Sequence, residues 1–215
     1  MLTKNNLPLL IVIILCAELL IWSWAFFTST LSTGNFFAIE PEFIYDKSAR
    51  NSGRISSALN IIILLMIGYS GLKQIYADDT KKDRFRIMIT LFAVNHLTHF
   101  FFVFQTFKHH TTTLSISENI HGFITFICIL VIPVMLWKYK KLTRALYFCI
   151  ILHLLNVSYF IMETFYNKIT AEKPAYHNQF GIAVTTAACI FVLFRVLKES
   201  KLNSEAGKLP HDAIT

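Results

Sequence analysis

Glu18, His96 and His153 each stand near the middle of a long apolar segment of this 215-residue chain. Ionisable groups at membrane depth are costly, face a bundle interior, and usually carry a partner or a task. Imidazole nitrogens and a carboxylate oxygen are good ligands for zinc, iron, manganese or copper. Two histidines on separate helices can also ligate one haem iron from both faces. The same groups can instead pass protons, because histidine titrates near neutrality. The plainest use is interhelical hydrogen bonding that ties membrane helices together.

His99 extends this set. It lies three residues after His96 and four after Asn95, spacings that place side chains on one helix face. His153 and Asn156 repeat the three-residue step, and Glu163 continues that face two turns further on. The inner candidates are therefore Glu18, His96, His99 and His153 as metal or haem ligands. Asn95, Asn156 and Glu163 form a polar stripe or proton relay beside them. A second, outer group is His109, His110, His121 and His177, with Glu118 and Glu172 nearby in sequence. His121 and His177 begin the fourth and sixth apolar segments, where they would suit a surface metal site or a second haem pair. From His96 to the end of its segment is 11 residues, roughly 16 Å at 1.5 Å per residue, enough to stack two cofactors.

Six apolar segments must position these groups, at about 8–28, 55–76, 86–107, 120–137, 144–166 and 179–197. Each approaches the roughly 20 residues that cross a bilayer as a helix, and none alternates as a barrel strand would. Hydrophobic residues are 54% of the chain and charged residues 15%, well below the soluble-domain average. The expected fold is all-α: a polytopic membrane bundle of six transmembrane helices over 1–198, with a polar tail at 199–215.

The net charge of +7 is a topology signal. Fourteen Lys and Arg fall on one side of the expected spans and six on the other, which makes both termini cytoplasmic. No basic stripe with interleaved aromatics forms on a soluble domain, so nucleic acid is not an expected partner. The expected partners are the lipid bilayer and other membrane proteins, and the expected location is a bacterial inner membrane. Cys16, Cys128, Cys149 and Cys189 all lie in apolar segments without a CxxC, as small buried hydrophobes do.

The first connection, 29–54, carries Phe36, Phe37, Ile39, Phe43, Ile44 and Tyr45. It reads as a loop whose 41–50 stretch forms a short interfacial helix opened by Pro41 and Glu42. The chain also suggests a parallel repeat of helical hairpins. Asn95-His96-Leu97-Thr98-His99 with Gln105-Thr106-Phe107 matches Leu152-His153-Leu154-Leu155-Asn156 with Glu163-Thr164-Phe165. One extra residue in the fifth segment would be absorbed as a π-bulge. Gly122 and Gly181 open the helices that follow.

Six helices with paired histidines on alternate helices resemble in architecture the six-helix b-type cytochromes. No segment-level motif of those proteins is present, so the resemblance implies arrangement alone. Dinucleotide, P-loop, HExxH, GxSxG and CxxCH motifs are absent. The expected function is a membrane protein whose buried Glu/His site binds a metal or haem for redox chemistry or redox-enzyme maturation. The alternatives are a small proton-coupled transporter and a non-catalytic membrane assembly subunit.

Overall fold

Apolar helices satisfy their own backbone polar groups, so long apolar runs fold as helices wherever water is excluded. The computed structural model describes residues 3–34, 41–109, 120–169 and 175–206, and among these every regular element is helical. After a short 3₁₀ turn at Lys4–Asn6 come α1 (Leu7–Thr33), α2 (Pro41–Ser70), α3 (Leu72–Ala77) and α4 (Asp79–His109). They are followed by α5 (Ile120–Lys138), α6 (Arg144–Tyr166) and α7 (Tyr176–Ala206).

Five of these helices are long and apolar enough to cross a membrane, with mean hydropathies from 1.4 to 2.4. They make this a multi-pass membrane protein. The described apolar part of α5, Gly122–Lys138, is shorter than these five.

Local chemistry ends the helices where the sequence changes. Gly34 takes the left-handed conformation (φ 67°) and donates its N–H to the Thr30 carbonyl at 3.0 Å, closing α1. The Thr143 side chain accepts the Leu146 N–H at 3.2 Å and opens α6.

Two ends of the bundle follow from the contacts. The distal end is where α1 finishes and α2 begins; the proximal end carries the amino terminus. α2 lies at the centre, against α1, α4, α6 and α7. Thr28 meets Lys47 and Glu18 meets Ser52, so α1 and α2 are antiparallel. Asn95 meets Ser56 near mid-helix, and Tyr45 meets His109 at the distal end. Thr90 meets Trp137, Asn156 meets Thr125, and Thr186 meets Met162. These pairings make successive long helices alternate, with α1, α4 and α6 all running toward the distal end. The shared direction expected for the three segments bearing Glu18, His96 and His153 is therefore present.

Three expectations change. The 29–54 loop is largely helix: α1 runs to Thr33 and Pro41–Ser70 is one continuous helix. Charged Asp46, Lys47, Arg50 and Arg54 mask a buried face of Ile44, Ser48, Ala49 and Ser52 that already packs on the bundle. Second, the tail does not begin at 199, because α7 continues to Ala206 and Glu199 is buried. Tyr147 donates to the Glu199 carboxylate at 3.0 Å, and Arg195 Nε lies 3.7 Å from it. Third, α6 is α-helical throughout 144–166 and contains no π-bulge.

The proximal end holds the sharp break between α2 and α3. Gly71 has φ 78°, and Arg195 donates to the Ser70 carbonyl at 2.7 Å. A Cβ on Gly71 would lie 2.0 Å from Glu199 Oε1 and 2.5 Å from Arg195 Nε. Glycine is thus required twice, for its backbone conformation and for the close approach of α7. Gly71→Ala is expected to destabilise the bundle by about 1–3 kcal/mol. The check is a thermal unfolding curve in detergent, in which the variant melts several degrees below the wild type.

Candidate functional site

The site is built on the buried face of α2. Ser48, Ser52, Ser56 and Asn60 recur every four residues, and each is at most 1% exposed. Small polar side chains at this spacing let neighbouring helices come close and offer hydroxyls across the contact. Ser52 donates to Glu18 Oε1 of α1 at 2.9 Å. Asn95 of α4 donates to the Ser52 carbonyl at 3.3 Å and to Ser56 Oγ at 2.7 Å. Asn60 donates to Ser158 of α6 at 2.9 Å. One stripe therefore ties together the three helices that carry the inner candidates.

The histidines sit beside this stripe. His99 packs edge-on against α2: a Cβ on Gly53 would be 3.1 Å from its Cε1, and the ring is hydrogen-bonded to the Ala49 backbone. His96 and His99 rings are 5.2 Å apart, and Phe92 lies 5.4 Å from His96 on the other side. His96 interacts electrostatically with both His99 and His153. The α6 histidine, His153, is 6% exposed. The structure thus brings His96, His99 and His153 into one group on α4 and α6. Glu18 is not brought into contact with an imidazole: its carboxylate is held by Ser52 of α2, whose carbonyl accepts from Asn95, the residue before His96.

Several buried atoms here have no hydrogen-bond partner in the protein: Glu18 Oε2, Asn95 Oδ1, and Nδ1 of His96, His99 and His153. An unsatisfied buried polar atom costs on the order of 1–3 kcal/mol. A concentration of five in one region is unusual for a solidly packed polar core, in which such groups pair. Among the described residues, however, no three His, Cys, Asp or Glu side chains converge as ligands for a single metal ion.

The remaining candidates are dispersed. Asn156 donates to Thr125 of α5 at 2.5 Å and acts as an interhelical tie. Glu163 is exposed near the distal end of α6. In the outer group, His109 is exposed and stacks on Tyr45 with ring centroids 5.9 Å apart, while His177 is exposed at the start of α7. His110 lies outside the described residues, as does the side chain of His121, so the outer pair of His121 and His177 falls outside the description. The described outer histidines make no contact with one another.

Sequence reasoning missed Ala49, Ser52, Gly53, Ser56 and Asn60, which form the α2 wall of the site. Their signal was present: small or polar residues at three- and four-residue steps across the boundary set at position 55. No family model matches the chain, and no curated protein or solved structure matches it either.

The Ser52 hydroxyl is the link between Glu18 and α2, which gives a direct test. Ser52→Ala is expected to cost about 1–2 kcal/mol, the size of a buried interhelical hydrogen bond with its carboxylate left behind. Glu18→Gln combined with Ser52→Ala is expected to cost less than the sum of the two single changes. A double-mutant cycle on unfolding midpoints reads both, and strict additivity would count against the contact.

Proposed function

We propose that the protein is a six-span membrane protein with both termini cytoplasmic, whose interior histidine site binds a haem or transition metal. Its service would be redox chemistry or the maturation of a redox enzyme, and a bacterial inner membrane is the location consistent with the charge asymmetry. The observation that carries this reading is the set of three buried imidazole Nδ1 atoms without protein partners, grouped on α4 and α6. Neutral imidazole with an open nitrogen is the commonest protein metal ligand.

The donor set bears on which group fits. A structural zinc site needs four convergent ligands and a catalytic one three. Described residues offer no such convergence. A haem needs only one or two imidazoles, which His96 and His153, or His99, would supply from α4 and α6. Bound there, such a group would supply one-electron chemistry. The chain's own residues would orient it: Gly53 lets the His99 ring pack against α2, Ala49 fixes that ring, and the Phe92 ring flanks His96. Glu18, held by Ser52, keeps one carboxylate oxygen free to accept or give a proton.

A second reading, a small proton-coupled carrier, is favoured by the run Glu18–Ser52–Asn95–Ser56, which joins α1, α2 and α4 through hydrogen bonds. A parallel repeat of helical hairpins would suit either reading, and the parallel course of α4 and α6 supports it, although α6 lacks the π-bulge that the sequence match needs.

An absorption spectrum with elemental analysis on the purified protein decides between them. The expected result is a Soret band, or a stoichiometric metal, that His96→Ala and His153→Ala each weaken at least about tenfold in affinity. Glu163→Gln, at an exposed site, is expected to leave it unchanged. Folded protein that is colourless and metal-free, and that takes up neither group on titration, would sink the proposal.

A further inference from the structure

The buried face of α2 changes chemistry along its length. The polar stripe that ends at Asn60 is continued on the same face by Ile63, Leu64 and Ile67, which are at most 1% exposed. The helices around α2 change in the same direction. On α4, Asn95 gives way to buried Phe92, Met88 and Phe85 toward the proximal end, and on α6 His153 gives way to Ile150 and Leu146. On α1, buried Ser29, Thr30 and Glu18 lie distal of Ile14, Ile11 and Leu10, which pack on the apolar core. Glu18 thus sits on a boundary: polar side chains line the seam between α1 and α2 on its distal side, and apolar ones on its proximal side.

A proton moves through a protein interior along hydroxyls, carboxylates, imidazoles and water, and hydrocarbon stops it. Toward the distal end Glu18 has such groups. Ser52 donates to it at 2.9 Å, and fully buried Ser48 lies one turn further on. Ser48 donates to the Ile44 carbonyl at 2.8 Å, which leaves its oxygen able to accept. The Lys47 bond to Thr28 marks where the same seam nears the distal end. Toward the proximal end, one turn from Glu18, Ile14 and then Ile11 and Leu10 close the seam against the core. Arg86, buried at that end on α4, turns to the Tyr139 carbonyl and the Trp137 ring.

The elements packed against α1 are α2, α4 and the amino-terminal turn. Their titratable groups nearest Glu18 in register are Lys47, Arg50 and Arg54 of α2 and His96 and His99 of α4, with Asp46 beyond and Lys4 at the proximal turn. Among the described residues, burial and the Ser52 hydroxyl are what act on the Glu18 carboxylate.

We propose that Glu18 exchanges its proton with the distal side alone, through the seam between α1 and α2 that Ser52 and Ser48 line. This rests on the reading of Glu18 as a group that accepts and gives a proton, and adds the side from which the proton comes. With both termini cytoplasmic, as proposed above, that side is the external one.

The test uses the full-length protein in sealed, proton-tight liposomes, sorted into distal-out and proximal-out populations by an amino-terminal tag. The infrared C=O band of the protonated carboxyl that Glu18→Gln removes is followed after a jump in external pH. In distal-out vesicles the band is expected to follow the jump, and in proximal-out vesicles to change at least about tenfold more slowly. Ser48→Ala is expected to slow the distal response at least about threefold without moving the pH of half-change. A merely structural effect of that substitution would move the half-change and leave the ratio of the two sides as it was.

Equal rates from the two sides, or a faster response from the proximal side, overturn the one-sided route and leave Glu18 standing as a proton site. A distal response that Ser48→Ala leaves at the wild-type rate overturns the seam as its path. A carboxyl band that is insensitive to pH from both sides, or the lack of any band that Glu18→Gln removes, takes away the proton reading and the route together.

Discussion

A serine hydroxyl against a buried carboxylate, Ser52 on Glu18, organises much of this bundle. Association of helices in lipid gains little from the hydrophobic effect, because lipid tails are as apolar as leucine. What remains is close packing and polar contact, and α2 supplies both with a stripe of serines ending at Asn60. Apart from Glu18 and a few small or polar residues, α1 is exposed along most of its length, with Leu9, Leu19, Leu20 and Trp24 facing outward. Its hold on the bundle comes from Leu7, Leu10, Ile11 and Ile14 against the core, from Thr28 with Lys47, and from Glu18 with Ser52. Of these, Glu18 is the buried polar contact at mid-helix, level with the Asn95–Ser56 bond that joins α4 to α2.

The proximal end has a different kind of lock. Arg86 is 7% exposed, donates to the Tyr139 carbonyl at 3.0 Å and lies over the Trp137 ring, while Trp137 donates to Thr90. Lys4 approaches the same ring from the amino terminus. Across the bundle, Arg195 and Glu199 close on the Ser70–Gly71 break. Both clasps use cations that hydropathy places at segment ends, and both are satisfied partly by main-chain carbonyls. A buried cation bonded to carbonyls costs less than one left bare, and here it gives the proximal end a defined register.

How much was legible in the sequence follows from which signal each part left. Segments five and three were readable because apolar length dominates there, and 144–166 agrees with α6 to the residue. The distal half of α2 was not, because Asp46, Lys47, Arg50 and Arg54, interleaved with its buried face, drag the local hydropathy down. Averaging over a window cannot see that Ser48, Ala49, Ser52 and Ser56 form a second, buried face. The same blindness hid Glu199: a charge near the chain end reads as solvent, while its partners Tyr147 and Arg195 are 52 and 4 residues away. The inner group was legible because depth can be counted along each helix. The outer group was not, because depth alone says nothing about which helices are neighbours.

That distinction also explains why one layer of candidates gathers and the described part of the other does not. His96, His99 and His153 lie on α4 and α6, which face a common core with α2, so side chains at matched depth meet. His109 and His177 lie at the exposed distal ends of helices, where the nearest partners of a ring are water and neighbouring aromatics. Water satisfies an imidazole at no cost, so nothing there drives the histidines toward each other or toward a ligand. Inside the bundle the balance reverses: Nδ1 of His96, His99 and His153 and one oxygen of Glu18 are buried without a protein partner. Burial, rather than exposure at a helix end, is therefore what sets His96, His99 and His153 apart from the outer histidines.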